Sequence, residues 1–226
     1  MQPDANTTRA LFEQLREAGV IVRLEETLPF PEALEVADAL LAAPALGIVV
    51  AMPARHATAV LQALVHRGPG QTLLGAADVL SEQHVDAAAR AGATFLVSTC
   101  FDLRLAVRAR MLSLPYVPGA FTASEVALAL RHGYDHLYYN PADILGPDHF
   151  ASLRAAYPHC RFLVGGGLDP ASLPAYAEAG AWAVVASSEL LGRQSWTQAD
   201  LIREVRLLRR IWEQALGRDT GAVRLR

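Results

Sequence analysis

The sequence predicts an α/β fold, a (β/α)8 TIM barrel in one domain over residues 1–226. Three observations predict it. Short apolar runs alternate with amphipathic stretches of helical period, eight times along the chain. The runs are apolar at almost every position, as strands buried on both faces of a parallel sheet must be. A chain of 226 residues, 52% apolar, can bury one large core.

The expected strands are residues 19–24 (GVIVRL), 46–52 (LGIVVAM), 72–77 (TLLGAA), 94–100 (TFLVSTC), 116–121 (YVPGAF), 136–139 (HLYY), 161–164 (RFLV) and 182–187 (WAVVAS). The helices between them are expected at 30–43, 54–67, 81–91, 102–113, 122–132, 148–157 and 170–179. An extra N-terminal helix is expected at 7–18 and a C-terminal one at 198–216, with a loose tail over 217–226. Ser81 supplies an N-cap hydroxyl, and Thr122-Ala123-Ser124-Glu125 has the spacing of a capping box. Gly92, Gly133 and Gly180 stand where helices stop, because glycine enters the left-handed region without a Cβ penalty. The first strand is not followed by Gly-x-Gly-x-x-Gly, which disfavours a doubly wound open sheet.

Composition narrows the function. A net charge of −3 argues against a nucleic-acid surface. No apolar run is long enough for a membrane span, and the polar first residues do not form a signal core. The two cysteines, Cys100 and Cys160, make no disulfide framework, so a reduced, cytoplasmic setting is expected. All 20 basic residues are arginine. No lysine amine is therefore available to form an imine with a carbonyl substrate.

In a barrel, chemistry sits at the C-terminal ends of the strands. Gly165-Gly166-Gly167-Leu168-Asp169-Pro170 follows the seventh strand, and Ser187-Ser188-Glu189 closes the eighth. Glycines admit an anion to the backbone, and these two loops are the usual phosphate site of the fold. Gly165, Gly166, Gly167, Ser187 and Ser188 are thus expected to hold a phosphate or another oxyanion. The plainer alternative is a tight turn, and Glu189 is adverse to an anion unless it points away. Asp78 is a candidate general base, a ligand for a substrate hydroxyl, or a helix cap beside Ser81. Ser98, Thr99 and Asn140 are candidate substrate contacts, although hydroxyls at strand ends often bond only to backbone. Cys100 has no basic partner nearby in sequence, so a reactive thiolate is not expected. Arg55 could clamp a carboxylate or lie in solvent. Arg23 could pair with Glu25 or frame the mouth. The histidines lack metal-ligand spacing, and neither a metal nor a cofactor is implied.

The run from about Leu73 to Leu191 resembles the family of 2-keto-3-deoxy-6-phosphogluconate (KDPG) and 4-hydroxy-2-oxoglutarate (KHG) aldolases. "LLGAADVLSEQH" is similar to its G-A-G-T-V-L segment, and "AGATFLVSTCFD" to its A-G-A-x-F-x-x-S-P-G. "YVPGAFTASEVALALRHGYDHLYYNPAD" resembles its P-G-x-x-T-P-S-E helix followed by K-F-F-P-A. "RFLVGGGLDPASL" and "AVVASSELL" resemble its two phosphate loops. The resemblance implies a trimeric barrel that holds a ketone as an imine on lysine. That lysine falls on Tyr138, the catalytic glutamate on Val49 or Val50, and the carboxylate-binding threonine on Asp78. Its Pro-Gly pair becomes Thr99-Cys100, and Gly165 replaces the threonine of its first phosphate loop. Ala186 and Ser187 replace the paired glycines of the second, while Gly166, Gly167 and Ser188 match.

Three readings follow. The barrel binds a phosphorylated or acidic small metabolite without turnover. Alternatively, Tyr138 and Asp78 act as acid and base in a lysine-independent lyase, isomerase or epimerase. Or the chain has a structural, assembly role. The expected partners are the metabolite and further copies of the chain, a trimer by resemblance, with neither nucleic acid nor membrane.

Overall fold

The strands form because their residues are β-branched or otherwise apolar on both faces and are closed at each end by glycine, proline or a polar turn. In the computed structural model, which describes residues 5–24, 29–43, 45–68, 70–187 and 197–217, they run β1 Val20–Leu24, β2 Gly47–Ala51, β3 Leu73–Ala77, β4 Phe95–Val97, β5 Tyr116–Val117, β6 His136–Tyr139, β7 Arg161–Gly165 and β8 Ala183–Ser187. All pairings are parallel, in the order β5-β4-β3-β2-β1-β8-β7-β6. A bridge between Gly119 and Tyr138 brings the two edges together, so the sheet curls into a nearly closed (β/α)8 barrel.

The helices are α1 Ala5–Ala18, α2 Phe30–Ala42, α3 Ala57–Arg67, α4 Glu82–Ala91, α5 Leu103–Met111, α6 Ala123–Arg131, α7 Gly146–Ala156, α8 Leu173–Glu178 and α9 Gln198–Ala215. Several expected starts are seen atom by atom. Ser81 Oγ accepts from His84 N, and Thr122 with Glu125 completes the capping box. Gly92 is left-handed, with φ 91°.

Four elements differ most from expectation. The fourth strand ends at Val97, before Ser98, Thr99 and Cys100. The fifth strand stops at Val117, because Pro118 has no N–H for the ladder. The helix after β2 starts at Ala57, with residues 52–56 in turns. The eighth helix starts at Leu173: Asp169 and Ser172 bond to one another, Ser172 N donating to Asp169 Oδ1 at 2.6 Å, and hold a turn in place of the first helical residues.

Side chains alternate across the barrel wall. Ile21, Val49, Ala77, Phe95, Val97, Val117, Tyr138, Leu163, Ala183 and Val185 fill the interior. Leu11 and Leu15 of α1 belong to this same interior cluster, so α1 plugs the N-terminal end of the barrel. The alternate set, including Val20, Val22, Ile48, Val50 and Val164, packs outward against the helices. Interior packing pairs large with small. An added Cβ on Gly75 would lie 2.6 Å from the Phe95 ring, and one on Gly165 would lie 2.5 Å from the Tyr138 hydroxyl.

Candidate active site at the barrel mouth

Strand alternation decides which predicted residues reach the mouth. Tyr138 points inward and is 3% exposed, among Leu163, Val185, Val117 and Val97. Its backbone closes the barrel, Tyr138 N donating to Pro118 O at 2.8 Å and Tyr138 O accepting from Ala120 N at 2.9 Å. Of the two valines considered at the end of the second strand, Val49 faces the interior and Val50 the outer shell.

Arg23, two residues beyond inward-facing Ile21, also faces the mouth, and its register neighbours are Val49 and Ser187. Asp78 follows the last inward residue of β3 and would ordinarily turn away. Its φ of 51°, uncommon for a residue other than glycine, turns it back. Arg23 Nε and Nη2 donate to Asp78 Oδ2 at 2.9 and 2.5 Å, with side chains 22% and 15% exposed. A charge pair this sheltered from water is stronger than a surface pair. The helix-cap role considered for Asp78 belongs to Ser81, and the Glu25 considered as partner of Arg23 lies outside the described residues.

Ser98 sits differently. With Phe95 and Val97 inward, it faces outward, fully buried, and its hydroxyl donates to Val79 O at 2.7 Å. It straps β4 to the segment after β3, which takes its hydroxyl away from the mouth. Thr99 and Asn140 are half-buried at the mouth. Arg55 is exposed on the loop after β2, with no ion pair among the described residues. Cys100 is exposed, and its carbonyl accepts from Tyr116 Oη at 3.1 Å.

Each of the three consecutive glycines is matched by a side chain from the end of β6. Gly165 leaves room for the Tyr138 hydroxyl, Gly166 for Asn140 Oδ1, and Gly167 for the Asp143 carboxylate. Gly166 and Gly167 also have positive φ, 86° and 65°. The loop is tied to the same segment, since Ala142 N donates to Gly165 O and Asp143 N to Gly166 O. The N–H groups of Asp169 and Ser172 are taken up inside their own turn. The glycines thus answer a packing demand before any ligand arrives. Ser187 is half-buried at the end of β8, and Ser188 lies outside the described residues.

Two features were not anticipated. Asp143, three residues beyond Asn140, sets a carboxylate against the glycine loop. Tyr139, facing outward, places its hydroxyl 2.8 Å from His149 Nδ1 and stacks on Phe121. Burial, with a smaller contribution from Tyr176, pushes the Tyr139 phenol up to about 12, so it stays protonated at neutral pH. Local sequence shows neither feature, because each pairs residues on different elements.

A nearly closed parallel sheet with helices around it and charged and polar groups at the C-terminal strand ends defines a (β/α)8 barrel protein. The family model described as KDPG and KHG aldolase matches residues 12–207, and the chain belongs to this family. It is similar to the 2-dehydro-3-deoxy-phosphogluconate aldolase of Pseudomonas aeruginosa, 33% identical over 63% of this chain and 65% of the relative. The enzyme of that name from Treponema pallidum is 30% identical over 80% of this chain and 90% of its own length. Among solved structures, a 4-hydroxy-2-oxoglutarate/2-dehydro-3-deoxyphosphogluconate aldolase matches with TM-score 0.77 at 28% identity, covering 89% of this chain and 98% of that one. The Zymomonas mobilis 2-keto-3-deoxy-6-phosphogluconate aldolase with 3-phosphoglycerate shares the fold, with TM-score 0.79 at 24% identity over 89% and 95% of the two chains.

Proposed function

We propose that the barrel binds a phosphorylated or acidic small metabolite, a 2-keto acid or sugar phosphate, at its C-terminal mouth and does not act as an imine-forming aldolase. One observation carries the reading. The inward position that the family resemblance gives to the reactive lysine holds Tyr138, in a chain without any lysine. A KDPG aldolase of Legionella pneumophila, which shares the fold with TM-score 0.71 at 21% identity, holds pyruvate as a covalent carbinolamine. A carbinolamine needs an amine nitrogen, and a phenol supplies none. Val49, buried, apolar and inward-facing in the middle of β2, cannot replace the glutamate that moves protons in such a mechanism.

Binding is supported by Arg23 at the mouth, beside Ser187 in the strand register, and by half-buried Thr99 and Asn140 in the segments that follow β4 and β6. The Asp143 carboxylate favours ligands whose anionic end lies on the Arg23 side. A thermal-shift panel of 2-keto acids and sugar phosphates tests the binding, and borohydride reduction with pyruvate tests the chemistry. A stabilising ligand with no internal covalent adduct is expected. A trapped adduct on a side chain, or no ligand across the panel, would refute the reading.

A second reading has Asp78 and Tyr138 moving a proton. It is favoured by the strained φ that holds Asp78 at the mouth. Solvent deuterium entering a sugar phosphate, and lost in Tyr138→Phe, would establish it; no exchange would end it. We also propose a homo-oligomer, a trimer by family resemblance, in the cytoplasm. Leu103, Val107 and Met111 form an exposed apolar stripe one turn apart along α5. A sedimenting trimer that Val107→Glu breaks is expected, and a monomeric wild type would refute it.

A further inference from the structure

The barrel wall is not paired along its whole height. Among the described residues, β5 and β6 meet at their upper ends, through the Gly119–Tyr138 bridge and the flanking Pro118 and Ala120 hydrogen bonds. Below, the approaches to the two strands separate, with Leu114, Pro115 and Tyr116 on one side and Gly133, Tyr134 and His136 on the other. Thr8, Phe12 and Glu13 of α1 form a third wall. The gap is a cavity of about 600 Å³ on the face opposite the mouth. That volume falls in the range of small-molecule sites, roughly 300–1,000 Å³.

Its lining combines flat rings with fixed positive charge. Phe12 stacks on His136 at 3.9 Å and 12°, and Tyr134 meets Tyr116 edge-on at 5.7 Å. Arg9, Arg110 and Arg161 come from α1, the end of α5 and the start of β7. The two acids at the cavity are engaged: Asp135 accepts from His136 Nδ1 at 2.7 Å, and Glu13 faces Arg16 at 3.5 Å. Neither Arg9 nor Arg110 has a carboxylate partner among the described residues. Guanidinium groups bind carboxylates and phosphates in a planar, two-pronged geometry, and ring faces take a planar ligand by stacking.

We propose that this cleft is a second ligand site, separate from the mouth, for an organic anion carrying a planar ring. The ring would lie against Tyr134 and the Phe12–His136 stack, with the anionic group between Arg9 and Arg110. An aromatic carboxylate and a nucleoside phosphate share this chemistry, so both serve as probes.

Titration calorimetry of the full chain with benzoate, which lacks the 2-keto group expected at the mouth, and with AMP tests the site, with benzyl alcohol and adenosine as uncharged counterparts. At least one anion is expected to bind saturably, and its uncharged counterpart at least about tenfold more weakly. Arg110→Gln and Arg9→Gln, both at exposed positions, should each weaken that binding about tenfold, whereas Arg23→Gln at the mouth should not. Circular dichroism confirms that each variant is folded. The proposal is overturned if neither anion binds, if the uncharged compounds bind equally well, or if binding survives both Arg110→Gln and Arg9→Gln. It is also overturned if the cleft proves to be covered by a second copy, seen as a change of sedimentation in Arg110→Gln without ligand binding.

Discussion

Adding one carbon to Gly165 tests the account of the mouth. An alanine Cβ there would lie 2.5 Å from Tyr138 Oη, 2.8 Å from Tyr138 Cε2 and 3.0 Å from Val185 Cβ. Ordinary contact begins near 3.5 Å, so the ring must move by several tenths of an ångström. It has little room, being 3% exposed and held by a backbone hydrogen-bonded on both sides. Overpacking of this kind costs about 1–3 kcal/mol. In a chain of this size that lowers the melting temperature by roughly 2–12 °C. Gly165→Thr, which restores the residue implied by the family resemblance, should cost more. The decisive measurement is a double-mutant cycle by urea unfolding. Tyr138→Leu removes the far end of the ring, so Gly165→Ala should be much less harmful in that background, with a coupling of about 0.5–3 kcal/mol. If Gly165→Ala is neutral, or its cost is the same with and without Tyr138, the two positions do not share space and the size compensation is refuted.

The remaining predictions concern charge. Arg23→Met leaves Asp78 a half-sheltered carboxylate without its guanidinium and should cost about 1–3 kcal/mol in urea unfolding. Adding Asp78→Asn should recover part of that loss, and no recovery would mean the pair is not coupled. Asp143→Asn should tighten sugar-phosphate binding about fivefold for each negative charge it no longer repels, from roughly 1 kcal/mol per charge pair at 4 Å in water. Unphosphorylated 2-keto acids should change little, and equal effects on both ligand classes would count against Asp143 facing the phosphate. Burial pushes the Glu125 carboxyl up, but hydrogen bonds from Phe121 N and from Thr122 N and Oγ outweigh it, leaving the group below its ordinary 4.5. Its stabilisation is therefore present above that value and is lost as pH falls through the lower folded value. The urea midpoint gap between wild type and Glu125→Ala should be full at pH 7 and narrow in acid; a gap that widens in acid would reverse the sign.

The local layer of the fold was legible because its causes are local. Apolar runs, a Thr122–Glu125 spacing and a glycine after a helix act within a few residues. Element ends were less legible. The shortened fifth strand follows from Pro118 and could have been read from sequence. The late start of α8 could not, because it depends on how Asp169 and Ser172 turn toward each other. In the site, Tyr138 was singled out by the family resemblance of the segment that runs into Pro141-Ala142, and strand alternation turns its side chain into the barrel. Ser98 and Thr99 are neighbours in sequence, yet only the face each takes separates a buried strap from a mouth residue.

The sequence by itself determined the strand and helix order, the total absence of a lysine amine and the placing of a phenol at the end of β6. These depend on residue identity and short-range period, which no packing can change. Tertiary structure alone decided the partners. It set Asp78 against Arg23 across 55 positions of chain, Tyr138 over Gly165, and Asp143 over Gly167. It also opened a cleft where β5 and β6 fail to pair below their bridge. Such contacts follow from closing the sheet on itself, and barrel closure brings together residues whose separation along the chain holds no record of their meeting.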